Sequence, residues 1–268
     1  MNSVIDISWL QLALFSLTLL IPFAISRHLK LRVEKDILIS VTRMGVQLAL
    51  VGIYLSYLFN LNSLTVNSLW LVIMMLIGAF SIIDKANLPK KKLWLPVSLG
   101  LFCGCIPVLL ILCLFIVKPT PFYNTQYMIP LAGMLLGNTL SSNIIALQNL
   151  FTSFRERKAE YEGALSLGAS PAYASQLFVK DAVKKAIAPI LASMTTIGLV
   201  TLPGMMTGQI LGGATPITAV KYQFMIMIAI FVVLTVSLLI TIKMVILRCI
   251  SNEGRILVTF IPEESLDN

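Results

Sequence analysis

The chain is short of charge. Only 12% of its 268 residues are Asp, Glu, Lys or Arg, about half the share found in an ordinary water-soluble domain. So few charges cannot cover a water-facing surface, and 57% of the residues are hydrophobic, with a mean hydropathy of +0.91. Acid is scarcer than base, at 12 Asp and Glu against 20 Lys and Arg. No carboxylate lies well inside an apolar run; Asp84 stands at an edge. That disfavours a proton-coupled carrier, which needs a titratable group in the membrane, and leaves no hard-ligand metal cage to be read from the spans. His28 is the sole histidine, and the four cysteines (Cys103, Cys105, Cys113, Cys249) lie within or at the end of apolar runs. Zinc-type spacing is absent, and buried thiols act as small hydrophobes, so neither a disulfide nor a metal site is expected. The phosphate loop Gly-x-x-x-x-Gly-Lys-Ser/Thr is also missing, so no ATP site, catalytic residue or cofactor is expected in this chain. The first apolar run has no basic leader and no small-x-small cleavage site, and is expected to be retained.

What is present is long apolar sequence. Seven runs stand out, at residues 9–26, 37–59, 69–83, 95–117, 127–147, 187–211 and 224–247. Crossing the ~30 Å hydrocarbon core takes about 20 apolar residues in a helix, so the expected fold is all-α, a polytopic membrane protein of about seven spans. The third run is short for a crossing. The connectors alternate in charge. Those with Arg27, Lys30, Arg32 and Lys35, with Lys85 and Lys90 to Lys92, and with Arg155, Arg157, Lys158, Lys180, Lys184 and Lys185 are basic, whereas 60–68 carries no charge. The net charge of +8 is thus a topology signal rather than a nucleic-acid footprint. It predicts the N-terminus outside, the C-terminus inside, and a multi-pass protein of the cell (inner) membrane in contact with lipid. Residues 1–268 read as one membrane domain, whose sizeable soluble piece is the basic connector 151–186.

Within that connector, residues 155–168 predict a helix. Gly168 suits the left-handed residue that ends it, Ser170 a cap on the next helix, and Pro171 its first position. A helix–turn–helix follows. It could rest on lipid headgroups or dock into a groove of a cytoplasmic partner.

The stretch Glu162-Gly-Ala164-Leu165-Ser-Leu167-Gly168-Ala169-Ser170-Pro171 resembles the coupling loop of ABC-transporter permeases. Further stretches resemble the Fet-type iron-export permeases, a family that is also related to plant half-transporters linked to aluminium tolerance. They are 34–38, Ser40-Val41, Arg43 and Gln47-Leu48, Ile129–Met134 with Gly137-Asn138, and above all 198–208 followed by Thr215-Pro216, Ala219 and 221–223. The resemblance covers about residues 34–230. It implies the permease subunit of an ATP-driven exporter of iron or a related metal species. It further implies a homodimer of permease chains, and a separate soluble ABC ATPase that holds ATP and Mg and docks on Glu162–Pro171. An importer permease for a small solute, or a membrane scaffold that transports nothing, are the alternatives.

The residue pattern nominates a transport path. Arg43 and Gln47 share a face of the second span; Arg43 either serves the path or snorkels to the edge. Pro203 removes a backbone hydrogen bond and could break the sixth span, with Met205, Met206, Thr207 and Gln209 flanking the break as path residues or plain core. Asn138, Ser141, Ser142 and Asn143 are polar in the fifth span and either line the path or bond neighbouring helices. Gly133 with Gly137, and Gly204, Gly208 and Gly212, are small-residue stripes suited to close helix packing.

Overall fold

The computed structural model describes residues 6–251 and 253–258, so the outermost ends of the expected domain lie outside the described residues. Those residues form helices, with two isolated β-bridges and no strand among them. In lipid the backbone has no water to bond, which leaves the helix as the way to satisfy it within one segment. The order is α1 (Trp9–Ser16), α2 (Leu20–His28), α3 (Glu34–Leu61), α4 (Leu64–Lys85), α5 (Lys90–Ile111), α6 (Thr125–Glu156), α7 (Lys158–Ser166), α8 (Pro171–Thr196), α9 (Gly204–Leu211) and α10 (Pro216–Cys249). Counting α1–α2 as one rod and α5 with its π-helical last turn as another, six are long and apolar enough to cross a membrane. The protein is a multi-pass membrane protein. The first rod tightens to a 3-10 turn at Leu17–Leu19, where Pro22 cannot donate to the carbonyl four residues back.

Three sequence expectations change. The third span is not short: α4 begins at Leu64, because its polar first turn is paired. Asn67, fully buried, donates from Nδ2 to the Tyr123 carbonyl at 2.7 Å and accepts from Thr125 Oγ1 at 3.0 Å. The fifth span runs on to Glu156, so the expected helix 155–168 is instead the end of α6, a corner at Arg157, and α7. The sixth run, 187–211, is not one helix. Its first part is the end of α8, which carries Lys180, Asp181, Lys184 and Lys185 before that part begins, and its last part is α9. Between them, 197–203 is irregular: Gly198 takes a positive φ of 86°, and Pro203, lacking an N–H, caps α9.

The packed bundle consists of α4, α5, α6, α8 and α10, and α5 lies closest against α10. The helix ends sort into two layers. In one, Thr125 N–H and Oγ1 donate to Asn62 Oδ1, each at 3.1 Å, tying the start of α6 to the left-handed residue that ends α3. In the other, Gln148 Nε2 donates to the Lys85 carbonyl at 2.9 Å, and Lys92 Nζ donates to the Leu257 carbonyl at 3.1 Å. That second layer gathers the ends of α4, α6 and α10, the start of α5, and α7.

Candidate functional site

The α7 layer is the most organised surface on the molecule. Phe154 of α6, Tyr161 of α7 and Phe178 of α8 meet as an aromatic cluster. Phe154 makes edge contacts with Tyr161 and with Phe178 at 5.3 Å between ring centres, the geometry ring quadrupoles prefer. Tyr161 and Phe178 are 2% and 1% exposed. Over the Phe178 ring lies the Arg157 guanidinium, 4.8 Å from its centre. It also pairs with Glu160 at 2.6 Å and Asp181 at 3.2 Å. Arg157 hydrogen bonds hold the Glu160 carboxyl below its ordinary range, and burial pushes the Tyr161 phenol up. One residue thus ties α6, α7 and α8 at their junction.

The turn that follows points outward. Gly168 takes φ 88° and Ser170 Oγ accepts from the Tyr173 N–H, with Pro171 next at the first helical position. The observed chain therefore has the expected cap chemistry. Leu167 at the tip is 91% exposed and Tyr173 71%. Glu162 is exposed and pairs with Lys158 one turn back at 3.4 Å; Ala164, Leu165 and Ala169 are half-buried. The element is a rigid corner with an apolar knob.

Its inner side is braced by a segment the sequence did not single out. After α10 the chain turns back, with a bridge between Ile250 and Ile256. Tyr161 Oη donates to the Gly254 carbonyl at 3.0 Å, and a Cβ on Gly254 would lie 2.5 Å from Leu165 Cδ1. Together α6, α7 and this return segment enclose an open cavity of about 1230 Å³, lined by Gln148, Arg155, Tyr161, Leu165 and Gly254 among others.

The nominated path residues stay on three separate elements. Arg43 and Gln47 are exposed on α3. Asn138 is exposed on α6, donating to its own Met134 carbonyl. On α9, which packs on α10, Met205, Met206, Thr207 and Gln209 are half-buried, and Gln209 Oε1 is buried without a partner. No hydrogen bond among the described residues links the three. Of the polar residues nominated in the fifth span, Asn143 turns inward, as do Thr139 of α6 and Ser237 and Thr241 of α10, residues that were not nominated; all four are fully buried. Asn143 Nδ2 donates to Ser237 Oγ at 3.3 Å, while Asn143 Oδ1 and Thr241 Oγ1 have no partner.

The close approach of helices is also elsewhere than nominated. Within the chain a Cβ on Gly137, Gly204 or Gly208 would meet nothing within 4 Å, one on Gly133 only the Met74 methyl at 3.8 Å, and one on Gly212 only carbonyls of α9, the nearest at 3.2 Å. At Gly100 and Gly104 of α5 it would stand 2.0 Å from Thr241 Oγ1 and 2.9 Å from Ser237 Cβ. The Gly-x-x-x-Gly spacing of that pair was the available signal.

Residues 9–250 match the uncharacterised protein family UPF0014. The chain belongs to this family. Relatives match it over most of their own length. A Bacillus subtilis protein named UPF0014 membrane protein YjkA is 34% identical over 81% of this chain and 86% of its own. The Escherichia coli probable iron export permease protein FetB is 32% identical over 81% and 82%. The Arabidopsis thaliana protein ALUMINUM SENSITIVE 3 is 32% identical over 78% and 75%. No solved structure matches the chain significantly.

Proposed function

We propose that the chain is the permease subunit of an ATP-driven ABC exporter of the inner membrane, moving iron or a related metal species out of the cytoplasm. The observation that carries this is the α7 corner: an exposed apolar knob at Leu167, mounted on a junction that Arg157 and the aromatic cluster fasten to α6 and α8. A soluble ATPase, bearing ATP and Mg, would press on residues 162–171, and the fastening passes its displacement into the helices. The α7 layer then faces the cytoplasm. The end of α8, the irregular 197–203 and α9 supply the remaining crossing, so that the first rod starts outside and α10 ends inside. The iron reading rests on the relative named an iron export permease. No carboxylate lies well inside a span, which favours passage of a complexed or weakly held metal over a tightly caged bare ion. The functional unit is a homodimer with two ATPase subunits.

Co-purification with the cognate ATPase and iron efflux from proteoliposomes test this. Leu167→Asp should abolish ATPase association and efflux while leaving thermal unfolding unchanged, because Leu167 makes little contact inside the chain. Undiminished association and efflux in that variant would overturn the docking role.

A further inference from the structure

The N-terminal helices stand off the bundle. Of α3 only Leu58 is buried, and its hold on the bundle is confined to its far end, where Tyr54 packs at a tilt against Trp70, ring centres 4.5 Å apart, and Leu55 meets the core. Residues 38–50 present Leu38, Ile39, Val46, Leu48 and Leu50, each more than half exposed. Lipid would suit these, but not Arg43. It lies on this free stretch, lining an open hollow of about 460 Å³ with Thr42, Val46 and Gln47. It lies seven positions beyond Asp36, about 10 Å of helix. An arginine on a lipid face costs several kcal/mol, and with no carboxylate well inside a span its five donors need neutral oxygens.

The opposite deficit lies at 197–203. Leu199, Val200 and Leu202 are 88%, 79% and 64% exposed, which is wrong for water. Among the described residues no hydrogen bond ends on the carbonyls of Gly198, Leu199, Val200 or Leu202, which is wrong for lipid. Irregular backbone at this depth is stable when covered by protein. Counted from Asp36 on α3 and from Lys185 on α8, Gln47 lies about 16 Å and the start of the break about 18 Å into the membrane at 1.5 Å per residue, with Arg43 one turn nearer the edge. Donors without acceptors and acceptors without donors thus occupy similar depths on one chain.

We infer that the face of α3 around Arg43 and Gln47 covers the irregular segment 197–203 of a second copy of this chain. The pairing is isologous, so a single twofold contact repairs both deficits twice. It deepens the homodimer reading above by assigning the interface, and rests on it.

Two differently tagged chains test the pairing, one carrying V46C and the other V200C, both with Cys103 replaced and the buried Cys105, Cys113 and Cys249 retained. They are co-expressed and oxidised in native membranes. A disulfide-linked species bearing both tags is expected, and neither variant alone should give it. In the otherwise unaltered chain, Arg43→Ala should weaken dimerisation about tenfold or more, the worth of a charge-assisted hydrogen bond, and Arg43→Lys less. A dimer that forms without this link, or one linked instead through F224C on α10, overturns the interface and leaves the permease reading standing. Absence of any dimer in the membrane overturns the homodimer as well.

Discussion

Gly100→Ala should destabilise the bundle although alanine is the better helix former. A methyl group at Gly100 would fall 2.0 Å from Thr241 Oγ1, 2.8 Å from the Ser237 carbonyl oxygen and 3.1 Å from Thr241 Cβ. Thr241 is fully buried and cannot swing into free space, and the carbonyl belongs to the α10 backbone. Replacing glycine within a helix gains about 1 kcal/mol of propensity. Forcing a methylene-sized group into a packed core costs about 1–3 kcal/mol, and a clash with backbone belongs at the upper end, leaving a net loss of about 1–2 kcal/mol. Thr241→Ala by itself removes a buried hydroxyl that has no partner and should be close to neutral. In the double variant the 2.0 Å clash is gone and the 2.8 Å contact remains, so part of the loss is recovered, with a coupling of at least about 0.5 kcal/mol. Reversible unfolding of the four chains in mixed micelles measures the cycle. A Gly100→Ala chain as stable as the parent, or strictly additive effects, would refute the claim that these glycines set the α5–α10 distance.

Gly254→Ala combines a left-handed backbone, φ 85°, with a Cβ 2.5 Å from Leu165 Cδ1. Left-handed backbone alone costs about 1–2 kcal/mol. Hydrogen exchange at Tyr161 to Leu165 should accelerate while the middle of α10 stays protected. Asn67→Ala leaves the Tyr123 carbonyl without the amide that donates to it and the Thr125 hydroxyl with Asn62 alone. It should lower stability by about 1–3 kcal/mol in the same unfolding assay. Glu160 is held below its ordinary 4.5 by hydrogen bonds from Arg157. A depressed folded value means its contribution is present above pH 4.5 and lost as the pH falls through the lower folded value. Exchange protection of α7 should be flat from neutral pH to about 5 and fall below it, and Glu160→Gln should abolish that fall.

Composition alone determined that this is an all-α multi-pass membrane protein, because lipid permits few solutions. Local backbone chemistry likewise made the Gly168, Ser170 and Pro171 corner legible, since those residues act through their own φ and N–H. Resemblance carried the family. What tertiary structure decided is which residues meet. Phe154, Tyr161 and Phe178 lie on three helices, and nothing in their spacing brings them together. Gly100 matters because Thr241, far along the chain, stands against it, whereas a Cβ on Gly137 or Gly208, of the same local character, would meet nothing within 4 Å. Asn67 extends α4 only because Tyr123 and Thr125 are there to receive it. Backbone conformation and solvent preference belong to single residues and are written where they occur; contact belongs to pairs, and the pairs exist only once the helices are packed.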